Sequence, residues 1–204
     1  MKSVIVIFTC LLSVICLPLM AATDPSQRLI STIEASLDVI YASDFGKASR
    51  LEKESLIRSV VENEFNLDIL IRRTIGRNWN LMDADEQARV LELVKQLVVK
   101  AYIKSLVGRD RPQLSFGQTI HVSSKRLEID STILTEGQAI RVMYRLGLMQ
   151  SGWEIYDIVA EDISVVSNYR QQIDDHFRKG NAANLIQKLQ ELLQTEDLND
   201  GIVL

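Results

Sequence analysis

The chain is short of cysteine, proline, histidine and aromatic side chains. Of its 204 residues two are cysteines, three are prolines and two are histidines, and aromatics make up 6%. Both cysteines, Cys10 and Cys16, lie within the first 22 residues, and neither follows the small residue that a lipoprotein leader requires. Once that segment is gone no thiol is left, which excludes disulfides and thiol catalysis and leaves the core alone to hold the fold. The two histidines, His121 and His176, are far apart in sequence, no serine sits in a nucleophile elbow, and there is no glycine-rich phosphate cradle. The common hydrolase and nucleotide-binding constellations are therefore missing. The net charge is −4; removing Lys2 leaves 22 basic against 27 acidic side chains, which speaks against nucleic acid as a partner.

What is present begins with the leader. Lys2 precedes an apolar run over residues 4–19, interrupted only by Thr9, Ser13 and Pro18, and Ala21 and Ala22 follow. A positive start, an apolar middle and small residues in that order predict a secretory signal over 1–22, cleaved near Ala22. The run falls short of the ~20 residues that span a bilayer, and Pro18 breaks it. Residues 23–194 are expected to form one domain, long enough to bury a core of its own. Residues 195–204 are expected to be a flexible acidic tail.

The first half of that domain has helical periodicity. Asp24 and Pro25 open a helix whose Leu29, Ile30, Ile33, Leu37, Ile40 and Tyr41 share a face, and Gly46 interrupts it. A second helix carries Leu51, Ile57, Val60, Val61 and Phe65, and a short one covers 67–75 up to Gly76. Asp83 and Glu86 have capping-box spacing before a long helix with Val90, Leu91, Val94, Leu97, Val98, Ala101, Tyr102 and Leu106 in a wide apolar stripe. Residues 109–117, with Pro112, read as a loop. Alternation then replaces the helical period: a strand over 119–123, then Leu127, Ile129, Ser131 and Ile133, then Ile140, Val142, Tyr144 and Leu146, then 153–159, with turns at Glu136, Gly137 and at Ser151, Gly152. Helices over 167–177 and 181–193 end the domain. Helices, then sheet, then helices define an α+β fold: helices packed on a twisted antiparallel sheet of about four strands, with a core that is either filled or hollow.

Few residues invite a chemical role. Asp174, Asp175 and His176 are neighbours on one helix and so point in different directions; they read as a solvated face rather than a metal cluster. Asp157, Glu161 and Asp162 are carboxylates near a strand end, better suited to capping than to acid–base work. Arg72, Arg73 and Arg77 around a helix end, and Arg109 and Arg111 before the sheet, are of the type that binds anionic headgroups or an acidic partner, or simply solubilises. Trp79, Trp153, Tyr102 and Tyr144 lie on or beside apolar faces and read as core.

One set of motifs resembles a known family. Phe65-Asn66-Leu67-Asp68, Ile75-Gly76-Arg77-Asn78-Trp79, Glu86-Gln87, Tyr102, Val142-Met143-Tyr144-Arg145-Leu146, Gly152-Trp153-Glu154-Ile155-Tyr156-Asp157-Ile158, Ser164-Val165-Val166 and Asn168-Tyr169-Arg170-Gln171-Gln172 occur in order. Phe177-Arg178, Gly180 and Leu185-Ile186-Gln187-Lys188-Leu189 complete the pattern, which resembles the MlaC or toluene-tolerance family over residues 27–193. The chain departs from it at Asp162, where the family usually has glycine, and near Ile173, where it has an aromatic.

The resemblance implies a periplasmic phospholipid carrier, monomeric and not an enzyme. Its partners would be an inner-membrane ABC transporter with its substrate-binding membrane subunit and an outer-membrane lipoprotein complex. It implies no cofactor, only bound phospholipid as ligand. The lipid-binding residues expected from facing and matched motifs are Val94, Leu97, Val98 and Tyr102 on the long helix, with Ile129, Val142, Tyr144, Trp153 and Ile155 on the sheet. Arg72, Arg73 and Arg77 are candidates for headgroup or partner contact; Arg170 is expected near the cavity mouth or paired with Asp157. The alternatives are a hopanoid carrier or periplasmic adaptor, and an enzyme of the cone-shaped α+β class with Asp157 as its acid.

Overall fold

The computed structural model describes residues 24–195; the leader and the segment after Thr195 lie outside it. Six helices and five strands follow in the order α1 Pro25–Ile40, α2 Arg50–Glu64, α3 Leu67–Ile75, α4 Ala84–Leu106, β1 Gln113–Ser123, β2 Arg126–Thr135, β3 Gln138–Met149, β4 Gly152–Ala160, β5 Ile163–Ser164, α5 Val165–Phe177 and α6 Ala182–Gln194. Short 3-10 turns at Phe45–Lys47 and Gly76–Leu81 lead into α2 and α4. The helix starts are chemically specified. Asp24 accepts from the Ser26 amide with Pro25 in the first turn, and Ser49 with Glu52 and Asp83 with Glu86 form full capping boxes.

The strands form one antiparallel sheet in the order β1-β2-β3-β4-β5, each paired with its neighbour in the chain. The β2–β3 turn places Glu136 and Gly137 at φ 50° and 78°, a left-handed pair suited to a tight hairpin. Register puts Leu127, Ile129, Ser131 and Ile133 opposite Leu146, Tyr144, Val142 and Ile140, so these eight side chains share one face. On that face Leu127, Ile129 and Leu146 are buried with Leu29 of α1 and Phe65. A second core joins α4 to α6 through Val90, Leu93, Leu97, Leu185 and Leu189, with Ile71, Ile75 and Ile173 behind them. A third joins Ile40, Phe45, Ile57 and Val99.

The two edges of the sheet differ from the sequence reading. The strand expected over 119–123 begins at Gln113, so the predicted loop ends early. Its register shifts between Phe116 and Thr119; Leu114 and Phe116 therefore alternate out of phase with Thr119 and His121, and no single period fits. The two-residue strand β5 is too short to show a period at all. The turn before it holds Glu161 and Asp162 at φ 47° and 65°, a conformation glycine adopts without strain, at the position where the family pattern carries glycine.

Candidate functional site

The strand β4 shows why its motif is dense. Asp157 pairs with Arg145 and Ile155 with Leu146, so Tyr156 is an extra, bulged residue. Before and after the bulge the parity of the strand differs, which lets Trp153 and Ile155 pack on the Leu127–Ile129–Leu146 core while Glu154 and Asp157 serve the helices behind. Both carboxylates are buried, at 4% and 6% exposure. Glu154 accepts from the Asn66 amide at 2.8 Å, at the start of α3. Asp157 accepts from Ser164 Oγ at 2.8 Å and from the Val166 amide at 3.3 Å, at the start of α5, and from Arg145 at 3.2 Å. A carboxylate at each helix N-terminus satisfies orphan amides and meets the positive end of the helix dipole. Tyr156 lies under the guanidiniums of Arg73 and Arg126, 4.9 and 5.9 Å from its ring centre.

Arg170 is therefore not the partner of Asp157. Its guanidinium donates to the Arg73 carbonyl, and Arg145, directly across the sheet, takes the carboxylate. The same Arg170 side chain lies against Gly76, where an added Cβ would sit 3.2 Å from its Nε. Gly76 has φ 61° and ψ −132°, a region closed to other residues. The glycine in the Ile75-Gly76-Arg77 motif is thus required twice, by backbone and by space.

The three arginines near the end of α3 are exposed but engaged. Arg72 stacks 4.7 Å over Trp79, Arg73 lies over Tyr156, and Arg77 pairs with Asp174 at 3.2 Å. Asp174 also accepts from Asn78, Asp175 from Arg178, and His176 Nε2 meets the Asn181 carbonyl. These three neighbours have three separate partners, and among the described residues no group of three His, Cys, Asp or Glu side chains could hold a metal ion.

The nine residues expected to line a lipid site fall into distinct environments. Ile129 is buried at 1% exposure; Tyr144, Trp153 and Ile155 pack around it, and Val142, buried at 8%, lies on the same face opposite Ser131. Leu97 is fully buried between α4 and α6, with Val94 packed against that core. Tyr102 packs at the third core, and its hydroxyl meets Ser36 Oγ of α1 at 2.8 Å. Ser36 donates to the Ile33 carbonyl, which leaves Tyr102 as donor in this pair. Burial raises the Tyr102 hydroxyl above its ordinary pKa against the lowering effect of Ser36. Burial pushes Tyr144 up to about 12, with the nearby Tyr102 adding to the shift and a bond to Ser131 opposing it.

Val98 differs from its neighbours. It stands between Val94, one turn before, and Tyr102, one turn after, in the middle of the α4 stripe, yet is 40% exposed. Protein fills the space beside Leu97, toward α6, and beside Val99, toward α2; it does not fill the space beside Val98. Not among the nine are Leu29 and Ile33 of α1, Phe65 and Phe116, which pack in the same cluster as Ile129 and Tyr144, and Ser36 of α1, which bonds Tyr102. The signal was present: Leu29 and Ile33 belong to the apolar face read for α1, and Ser36 is a polar residue set into that face.

The MlaC protein family matches residues 31–191 of this chain. The chain belongs to the MlaC family. A solved structure has the same fold: the phospholipid-binding protein from Ralstonia solanacearum, determined in complex with a phospholipid, superimposes with a TM-score of 0.73 at 18% identity, over 83% of this chain and 97% of that one. No curated protein matches the sequence. The MlaC motifs read from the sequence thereby acquire physical meaning in β4, at Gly76 and at Tyr102.

Proposed function

We propose that this protein is a periplasmic phospholipid carrier that moves lipid between an outer-membrane lipoprotein complex and an inner-membrane ABC transporter. The acyl chains lie between the apolar stripe of α4 and the inner face of the sheet, against Val94, Val98, Tyr102, Val142, Tyr144 and Ile129. The observation that carries this reading is Val98, an exposed valine within an otherwise packed apolar stripe. Membership of the MlaC family and the fold shared with a phospholipid-bound neighbour support it.

The energetics fit a carrier. Lipid tails in water cost about 0.8 kcal/mol per methylene, so two tails of ordinary length cost on the order of 20 kcal/mol. An apolar cleft removes that cost and needs no nucleophile. The buried acid Asp157 is fully engaged in holding α5 and Arg145, so it supports no catalytic step. The exposed cluster Arg72, Arg73 and Arg77 is the surface proposed for partner contact. Protein purified without detergent and extracted with organic solvent is expected to yield about one phospholipid per chain by mass spectrometry. Protein free of lipid that also takes up none from phospholipid vesicles would sink the proposal.

A further inference from the structure

Tyr156, the bulged residue of β4, collects cations that no acid offsets. The guanidinium of Arg73 lies 4.9 Å from its ring centre, and that of Arg126 lies 5.9 Å away. A third, Arg170, donates to the Arg73 carbonyl. These arginines come from α3, β2 and α5, so the fold and not the local sequence brings them together. The neighbouring carboxylates are already engaged. Asp174 holds Arg77 and Asn78, Glu128 and Asp157 hold Arg145, and Glu154 holds the Asn66 amide. Among the described residues, Arg73, Arg126 and Arg170 form no ion pair with a carboxylate. The ring face attracts each cation but does not neutralise it.

An apolar hollow adjoins the ring. It has a volume of about 780 Å³ and is lined by Ile69, Leu148, Met149 and Lys125, with the turn at Gln150 and Ser151. Leu148 is 42% exposed. Met149 Cε and Tyr156 Cδ1 lie 3.0 and 3.2 Å from the point where a Cβ on Gly147 would sit, so the hollow and the cation cluster meet over that glycine. The Leu148 amide donates to the Lys125 carbonyl at 3.0 Å, which fixes the turn that carries Lys125 at the same rim.

We propose that this surface docks a partner protein through an acidic segment that carries an apolar side chain beside its carboxylates. The carboxylates pair with Arg73, Arg126 and Arg170, and the apolar side chain enters the hollow against Ile69 and Leu148. Side chains two residues apart on an extended segment project to one side about 7 Å apart, which suits two guanidiniums set about one ring. Arginine binds carboxylates bidentately, and arginine and tyrosine are enriched at the centres of protein interfaces. A bilayer is the poorer fit: the chain carries a net charge of −4, so a uniformly anionic surface repels the molecule as a whole. This docking surface rests on the partner contact proposed for Arg73. It adds Arg126, Tyr156, Arg170 and the hollow, leaves out Arg77, which Asp174 already holds, and takes no part in holding acyl chains.

The test is an NMR titration of the full exported protein, at low salt, with a synthetic peptide of two leucines followed by Asp-Glu-Asp-Glu. Saturable amide shifts are expected at Arg73, Arg126, Leu148 and Tyr156. Replacing the acids by Asn-Gln-Asn-Gln, or both leucines by glycine, is expected to weaken binding about tenfold. Arg126→Glu is expected to weaken it by about the same factor, the scale of one exposed ion pair turned into a repulsion. Lys47→Glu, in the turn before α2, makes the same change of charge and is expected to leave binding unchanged. Both side chains are exposed, and among the described residues neither forms a hydrogen bond or ion pair, so folding is not at issue. Lipid phosphorus per mole of protein is measured on the same samples and is expected to be equal for wild type and both variants, which separates a failure of docking from a failure of lipid carriage. No saturable shift, shifts confined to another face, or undiminished binding by Arg126→Glu would each overturn the proposal. So would binding to phosphatidylglycerol vesicles that Arg126→Glu abolishes, because the surface would then be a membrane contact.

Discussion

Leu97 and Val98 are adjacent on α4 but differ sharply in burial, and under the proposed function substituting each in turn separates folding from cargo binding. Leu97 is fully buried against α6. Truncating it to alanine removes a packed isobutyl group from a core that cannot collapse freely between two helices, a cost of about 2–5 kcal/mol. Val98 is 40% exposed, so Val98→Glu is expected to change folding stability by only about 0.5 kcal/mol, glutamate being the better helix former. In the loaded state the same carboxylate would face acyl methylenes with no partner, at a cost of about 3 kcal/mol or more. That lowers affinity by about two orders of magnitude or more at 1.4 kcal/mol per tenfold. The assay pairs urea unfolding with lipid phosphorus per mole of protein purified without detergent. Leu97→Ala is expected to unfold early and keep its lipid; Val98→Glu is expected to unfold normally and lose it. If Val98→Glu retains a full complement of phospholipid, the cleft beside α4 is not where the chains lie.

Three further outcomes follow from the geometry. Gly76→Ala, forced to φ 61° against Arg170, is expected to lower stability by about 2 kcal/mol or more, read as a fall in melting temperature. Asp157→Ala is expected to cost about 3 kcal/mol, because it strips a buried carboxylate from Arg145 and from the start of α5; hydrogen exchange at Val166 should rise with it. Arg58 holds the Glu92 carboxyl down at about 2 through a bidentate bond. A depressed carboxylate stabilises the fold above its unfolded pKa of about 4.3 and loses that contribution as pH falls toward 2. The melting temperatures of wild type and Glu92→Gln should therefore differ at pH 6 and converge toward pH 2; a gap that widens in acid would contradict the assignment.

The elements most legible in the sequence were those with one strong period. The α3 bounds at Leu67–Ile75, the capping box at Asp83 and Glu86 and the Glu136, Gly137 turn all follow from local chemistry. β1 was half hidden because a bulge splits its alternation at Gly117 and Gln118. The helix residues of the site were harder to place, since a wide stripe on α4 looks uniform in sequence while in space it serves three neighbours: α6 at Leu97, α2 at Val99 and open space at Val98. The Arg145–Asp157 pair depends on β3–β4 register, and no reading of helix α5 alone could have replaced Arg170 as the partner. Asp162 was noted as a departure from the family pattern; its φ of 65° supplies the physical reason that glycine suits the site.

The sheet pairs only consecutive strands, so each hairpin can close as soon as its second strand is available, with little chain entropy lost. The opposite holds for α1. Its Arg28 bonds to the Trp153 carbonyl 125 residues further on, and Leu29 packs on strands formed by that same distant stretch. The first helix to be made is among the last to find its seat. Until β2, β3 and β4 are assembled, the apolar face of α1 has nothing to pack against. Folding should accordingly show a fast phase in the sheet and a slower one at α1, and the proposed lipid site can be complete only after the second.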